Sequence, residues 1–524
     1  MRIMKKTIFI FLTTIITLGC KKSFLDINQN PNEPTVVTPN VVLSAALAGS
    51  ATNQGTNYLK VNNLMGYWSR SGNYVPDAQT EQYNIPNDYT NTEWGRMYNT
   101  LNRYEYIEKQ GHQNNLPFYV GVAKAMKAFH FSQLVDIYND VPYTEAFDVA
   151  GKVQPKYDKG QDIYNDLVKQ LDSAVIYFDS AKTVYDASTE LASVIASDDQ
   201  YDIMFGKGKA AAPDDRMDNW VKFSNTLKLR LLLHEYKVID AGYRTTEVQK
   251  ITDNGRGFLN AGESATVNPV YALSSDQISP FVSNFKGVTA APVAVSYYRA
   301  NNYAIDFYIS TGDERQISFY TVLSGVTVGG NFEGDPNSVP NTFTSAIGGT
   351  YGGTVKDATQ DQLILPDFES LFIQAEATQR GWLAGDDSAL YASAVTQNFV
   401  YLDPNGDVAV DASDAAAYLN GDGLLGAPTD LADVNWDAAT DKLKLIMTQK
   451  WAALNGIDWL EAWTDYRRTG FPSSDILGTS HAPTHIQNKI PVRYPYPQTE
   501  LNTNVNTPKL TVTDLFTSPP FWAQ

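Results

Sequence analysis

Apolar side chains return at helical spacing in five stretches of this chain. In PFYVGVAKAMKAFHFSQLVDIYNDVPY, residues 117–143, Phe118, Val122, Ala125, Met126 and Phe129 share one face. Pro117 suits a first helical position, and a stop is predicted before Asp140-Val141-Pro142, because a residue preceding proline avoids the α region. QDIYNDLVKQLDSAVIYF, residues 161–178, repeats the pattern, and NWVKFSNTLKLRLLLHEY, residues 219–236, aligns Trp220, Phe223, Leu227 and Leu231. LPDFESLFIQAEATQRGW, residues 365–382, stripes Phe368, Phe372 and Ala375, with Gly381 near its end. In residues 441–472, Leu443, Met447, Trp451 and Leu454 align before Gly456 interrupts the helix. Helices joined by short connections predict an α-rich body. The pattern fails in the middle: residues 316–355 carry no Lys or Arg and residues 321–360 hold eight glycines, which predicts long loops with short strands over about 260–360.

One apolar run has a different meaning. TIFIFLTTIITLG, residues 7–19, follows Arg2, Lys5 and Lys6 and is too short to span a bilayer, which takes about 20 apolar residues. It reads as an export signal covering residues 1–19. Cys20, the single cysteine, comes next, and TLGC resembles the lipobox of bacterial lipoproteins, with Thr17 where Leu is usual. That motif implies a diacylglyceryl group and an N-acyl chain such as palmitate on Cys20; stable anchoring takes more than one acyl chain. Residues 20–36, rich in Asn and Pro, then form a tether, and residues 37–524 the folded body.

Charge and cysteine count narrow the rest. The 524 residues carry a net charge of −18. Without residues 1–19, 37 basic residues face 58 acidic ones, a net −21. Such a surface repels phosphate backbones, which argues against nucleic-acid binding. A lone thiol excludes a disulfide framework and multi-thiolate metal centres.

Aromatic residues concentrate where polar ones do. Residues 61–100 hold Tyr67, Trp68, Tyr74, Tyr83, Tyr89, Trp94 and Tyr98 among Asn, Asp, Gln and Ser, and residues 296–303 add Tyr297, Tyr298, Arg299 and Asn302. Rings on which sugar faces stack, beside amides and carboxylates that bridge hydroxyls, are the lining of a glycan or peptide site. Trp68, Tyr74, Tyr89, Trp94, Tyr297, Tyr298, Arg299 and Asn302 are the candidate contacts, with Trp68 and Trp94 expected to stack.

Five segments in order, FLDINQNPNEP, AFHFSQLVDIYNDVPYTEAF, ILPDFESLFIQAEA, WLEAWTDYRRTGFP and IPVRYPYPQTELNTN, are together similar to the SusD/RagB family of outer-membrane nutrient-binding lipoproteins. The similarity runs from Cys20 to about Asn504. It implies a mainly α fold, with tetratricopeptide-like helical hairpins in a single large body and a loop-rich ligand face. It also implies the outer face of the outer membrane, a TonB-dependent (SusC-like) barrel as partner, and binding of an oligosaccharide or peptide nutrient without catalysis or a required cofactor.

Catalytic motifs are missing: there is no GxSxG, HExxH, P-loop or GxGxxG after a strand. His481 and His485 are four apart, but Pro483 between them argues against a helical metal pair. Asp458, Glu461 and Asp465 beside Trp459 and Trp463 keep a lipid-anchored glycoside hydrolase as the alternative function, since such an enzyme needs only two carboxylates. Their other reading is a helix whose acids pair with Arg467 and Arg468. In DPNGDVAVDASDAAAYL, residues 403–419, the side chains of Asp403, Asn405, Asp407, Asp411 and Asp414 and the carbonyl of Ala409 fall at EF-hand ligand spacing, although Val408 replaces the turn glycine. A structural calcium and a solvated acidic loop both fit.

Overall fold

A computed structural model describes residues 38–148, 150–187, 199–206, 209, 213–274, 277–285, 297–324, 328–349, 353–403, 411–422 and 427–523. Residues 1–37, which include the signal segment, Cys20 and the tether, lie outside the described residues.

The fold is mainly helical. Helices α1 (Pro39–Thr56), α2 (Asn91–Gln113), α3 (Pro117–Tyr138), α4 (Gly160–Ala187) and α5 (Pro213–His234) pack each on the next. Helix α3 starts at Pro117 and ends at Tyr138, as its punctuation predicts. It is buried on nearly every side, because α2, α4 and α5 all lie against it. A second group follows: α6 (Ala241–Asp253), α7 (Asn302–Ser310), α8 (Asp367–Gln379), α9 (Asp387–Leu402), α10 (Ala412–Asn420), α11 (Lys442–Ala453) and α12 (Trp459–Thr469). Residues 441–472 split into α11 and α12, and Gly456, between them, adopts φ +65°, a left-handed conformation that glycine enters at little cost. Helix α8 packs on α9, on α11 and on α5, so the two groups share one continuous core from Leu43 to Trp522.

Short strands tie the loop-rich region to the helices. Strand β1 (Trp68–Arg70) pairs antiparallel with β3 (Tyr298–Ala300), setting Trp68 opposite Ala300 and Arg70 opposite Tyr298. Strand β2 (Ala265–Val267) pairs with β4 (Gln362–Leu365), which rests against α1.

The core is not wholly apolar. Lys450 of α11 donates to Glu461 and reaches Asp465 of α12, both at 2.8 Å. Arg468 of α12 holds Glu376 of α8 through both of its terminal nitrogens, at 2.6 and 2.5 Å. Arg230 of α5 pairs with Glu369 of α8 at 3.0 Å, and His234 lies between Glu461 at 3.2 Å and Asp136 of α3 at 3.6 Å. Burial would push the His234 pKa down, but Glu461 and Asp136 raise it to about 9, so the ring is cationic at neutral pH. Burial likewise opposes ionisation of Glu376, yet Arg468 holds its pKa at about 2.

Removing one member leaves a buried charge without its partner. Lys450→Met should therefore lower unfolding stability by about 3–5 kcal/mol, whereas Lys509→Met at an exposed position should change it by less than about 0.5 kcal/mol. Urea unfolding midpoints of the two variants check this; equal midpoints would remove the network from the stability of the fold.

Candidate functional site

The backbone pairing of β1 with β3 brings the two aromatic segments of the sequence together, and their rings form a continuous ladder. Tyr74 stands edge-on to Tyr297 at 5.4 Å, Tyr297 meets Tyr298 at 5.1 Å, Tyr298 meets Trp68 at 5.1 Å, and Trp68 meets Phe285 at 5.6 Å. The ladder runs inward, from Tyr74, which is 37% exposed, to Trp68, which is fully buried.

Trp68 and Trp94 therefore depart from expectation. Trp68 packs between Tyr298 and Phe285 with Gly456 close to its ring, and offers no face to solvent. Trp94, 5% exposed, packs against Tyr98 and Tyr138. Burying such large apolar rings in the interior is the stronger physical preference, and aromatic density in the sequence does not separate it from ligand stacking. Arg299 is also buried and donates from Nε to Asn341 at 2.8 Å. Asn302 opens α7, its backbone N–H bonded to the Asn331 carbonyl.

Beside the ladder lies a cavity of about 420 Å³, lined by Thr56, Tyr58, Leu59, Lys60, Gln79, Asp88, Tyr89, Thr90, Glu93, Tyr298 and Tyr494. Of the predicted contacts, Tyr89 and Tyr298 line it and Tyr74 and Tyr297 flank it. Sequence reasoning missed Tyr58, Lys60, Asp88, Glu93 and Tyr494. The one signal available for Tyr494 was its place in the closing RYPYP motif.

Each wall has a local cause. Tyr89 stands edge-on to Tyr494 at 5.5 Å, and Tyr494 stacks on Tyr58 at 6.2 Å. Lys60 sits over the Tyr89 ring at 5.2 Å and pairs with Asp77 at 2.8 Å. Glu93 lies in the first turn of α2, where the helix dipole favours a negative charge, while burial pushes its pKa up. Two larger cavities, of about 470 and 590 Å³, lie away from the aromatic ladder. In the first, Lys124 and Lys127 are neutralised by Glu105 and Glu108. The second holds two rings, Phe258 and Trp382, and Trp382 is already covered by Arg244 at 4.9 Å.

Glu333 supports β1 from below. Its Oε2 accepts from Asn63 Nδ2 and from the Arg70 backbone N–H, both at 2.9 Å, while Oε1 has no partner. Burial, with Glu81 nearby, raises its pKa to about 8. Arg70 pairs with Glu81, so the guanidinium neutralises that carboxylate and not Glu333.

The hydrolase candidates sit elsewhere. Glu461 and Asp465 are buried in the ion network. Asp458 is buried as the cap of α12, accepting from the Glu461 backbone N–H at 3.1 Å, and the void beside Asp458 and Glu461 is about 10 Å³, room for about one water and for no sugar. Trp459 and Trp463 are buried with them. His481 lies exposed, stacked on Phe332 at 4.1 Å, and His485 contacts the Ser480 carbonyl. Asp411 and Asp414 form a capping box at the start of α10: Asp411 accepts from the Ser413 and Asp414 backbones, and Asp414 from the Asp411 backbone. Asp403 caps the end of α9, and Asn405, Asp407 and Ala409 lie outside the described residues.

Comparison with known proteins matches residues 31–497 to the SusD-like family, described as starch-binding and associating with the outer membrane. Among solved structures, a chitin-binding SusD homologue from Flavobacterium johnsoniae is 20% identical, with a TM-score of 0.70 over 92% of this chain and 98% of that one. A SusD/RagB family protein from Bacteroides thetaiotaomicron is 18% identical, with a TM-score of 0.69 over 93% and 99%. A SusD homologue from Bacteroides fragilis is 20% identical, with a TM-score of 0.65 over 90% and 95%. At these identities the likeness establishes the fold. No curated protein sequence matches the chain.

The raised pKa of Glu333 has a consequence for stability. A carboxyl whose folded pKa lies above its unfolded value stabilises fully below about pH 4.5 and loses that contribution as pH climbs through about 8. Glu333→Gln cannot ionise, so its melting temperature should gain on the native chain between pH 5 and about 8 and level off above that. Parallel pH profiles would show Glu333 to be ionised throughout.

Proposed function

The chain belongs to the SusD-like family of starch-binding, outer-membrane-associated proteins, and on that premise we propose a cell-surface lipoprotein that binds an oligosaccharide and passes it, uncleaved, to a TonB-dependent barrel. The observation that carries the binding half is the cavity of about 420 Å³, walled by Tyr58, Tyr89, Tyr298 and Tyr494 with carboxylate and hydroxyl groups between them. Rings take the apolar faces of pyranoses, and Asp88, Glu93, Gln79, Thr56 and Thr90 bridge hydroxyls. The chain supplies both kinds of contact and nothing in the proposed step breaks a bond.

Attachment rests on residues 1–20, where an apolar run ends in TLGC. No helix among the described residues is long and apolar enough to cross a membrane. In this reading acyl chains on Cys20 hold the protein, and residues 20–36 let it pivot over the barrel. Cys20→Ala should move the protein from the membrane to the soluble fraction on cell fractionation, and a barrel that co-purifies with the native chain but not with this variant supports the partnership.

Tyr89→Ala combined with Tyr298→Ala should weaken binding of whichever starch or chitin oligomer the native chain binds, by about tenfold, because each aromatic contact contributes about 0.5–1.5 kcal/mol. Calorimetry measures it; unchanged affinity would move the site elsewhere. Since Asp88 and Glu93 are the carboxylates a hydrolase would use here, chromatography of the same mixtures also decides the chemistry: the oligomer should remain intact.

A further inference from the structure

The charges around the cavity do not balance. Lys60 is its one cationic lining residue, and Asp77, which is not part of the lining, engages it at 2.8 Å. Asp88 and Glu93 both line the cavity, and neither has an ion-pair partner within 4 Å among the described residues. Arg96, one turn along α2 from Glu93, donates to Thr56 of the lining and to Asn57 at 3.1 and 3.3 Å, so that Lys60 and Arg96 are two cations set against the three carboxylates of Asp77, Asp88 and Glu93. Of the cavity's four tyrosines, Tyr58 and Tyr494 are buried, while Tyr89 and Tyr298 in front of them are part-exposed. Their electron-rich faces attract a cation, as do the carboxylates, and a partly desolvated pocket strengthens both effects. A neutral hexose needs the rings but leaves the carboxylates uncompensated.

We infer that this cavity recognises a protonated amine carried on a sugar, so that the ligand is an oligosaccharide containing free amino sugars. The inference deepens the glycan-binding reading and rests on it. In the bound state the ammonium lies among Glu93, Asp88 and the Tyr298 ring, since Lys60 already covers Tyr89, with the pyranose face against a tyrosine. Glu93, in the first turn of α2 and part-buried, is the principal acceptor. Asp88, exposed at the rim, adds long-range attraction. The net charge of −18 draws a polycationic oligomer toward the protein before contact.

Calorimetry on the purified chain with two probes of equal length tests this: the tetramer of glucosamine, which carries amines, and the tetramer of N-acetylglucosamine, which does not. The glucosamine tetramer should bind at least about tenfold more tightly, the effect of one charge-assisted hydrogen bond. Glu93→Gln should cut that preference to below about twofold. Asp88→Asn, at an exposed position where folding is not at stake, should reduce it by about half. Equal affinities in the native chain, or a preference that survives both substitutions, would overturn the amine assignment while leaving glycan binding standing. Failure of both tetramers, with starch oligomers also unbound, would remove both readings. A tetralysine peptide that bound more tightly than the glucosamine tetramer would overturn the sugar as the carrier of the amine.

Discussion

Lys450, fully buried, is held between Glu461 and Asp465, and the geometry of the whole helical body answers to that contact. A charge so deep in the protein is tolerated only when paired and hydrogen-bonded, so each partner must arrive in position as the chain folds. Glu461 passes the requirement to His234 and Arg230, Arg230 passes it to Glu369, Asp465 to Arg468, and Arg468 to Glu376. His234 extends it to Asp136, which also accepts from the Trp522 indole near the carboxyl terminus. Helices α3, α5, α8, α11 and α12 are thereby locked in relative rotation as well as in contact.

The cavity beside the aromatic ladder depends on this network through three hydrogen bonds that involve α11 and α12. The Trp459 indole donates to the Asn57 carbonyl, the Trp451 indole to the Met65 carbonyl, and the Tyr67 hydroxyl back to the Trp451 carbonyl. They grip residues 57–67, the segment that carries Tyr58 and Lys60 to the cavity wall. On the opposite side Trp463 of α12 donates to the Pro491 carbonyl and packs on the Tyr494 ring at 5.2 Å, and Arg467 donates to the Val492 carbonyl. The aromatic-acidic helix of the sequence thus acts at a distance: its acids fix its own position and its tryptophans fix both walls of a site it does not line.

Much of the fold was legible because its signals are local. Pro117, Gly381 and Gly456 act within a turn of where they stand, and the helix limits follow them closely. The strand pairing was not legible, since β1 and β3 lie some 230 residues apart and each is three residues long. The cavity was half legible for the same reason: polar neighbours marked Tyr89 and Tyr298, but only the fold brings Tyr58 to Tyr494. Trp68 and Trp94 show the limit of composition, because a ring amid Asn and Ser reads alike whether it faces ligand or core. Asp411 and Asp414 show the limit of spacing, since carboxylates three residues apart suit both a cation loop and a capping box, and here they cap a helix.

Rigid walls and modest contacts together set the kind of affinity this site can have. The two part-exposed rings, Tyr89 and Tyr298, at about 1 kcal/mol each and two or three net hydrogen bonds at about 1 kcal/mol each give about 4–5 kcal/mol before the cost of ordering the ligand. That corresponds to a dissociation constant near the millimolar range, and pre-formed walls keep the cost from erasing it. For the proposed carrier such a value favours release, because tighter binding would prolong residence without improving delivery. Stability is thus concentrated in the buried ion network of the scaffold, and the cavity beside it is left with modest contacts.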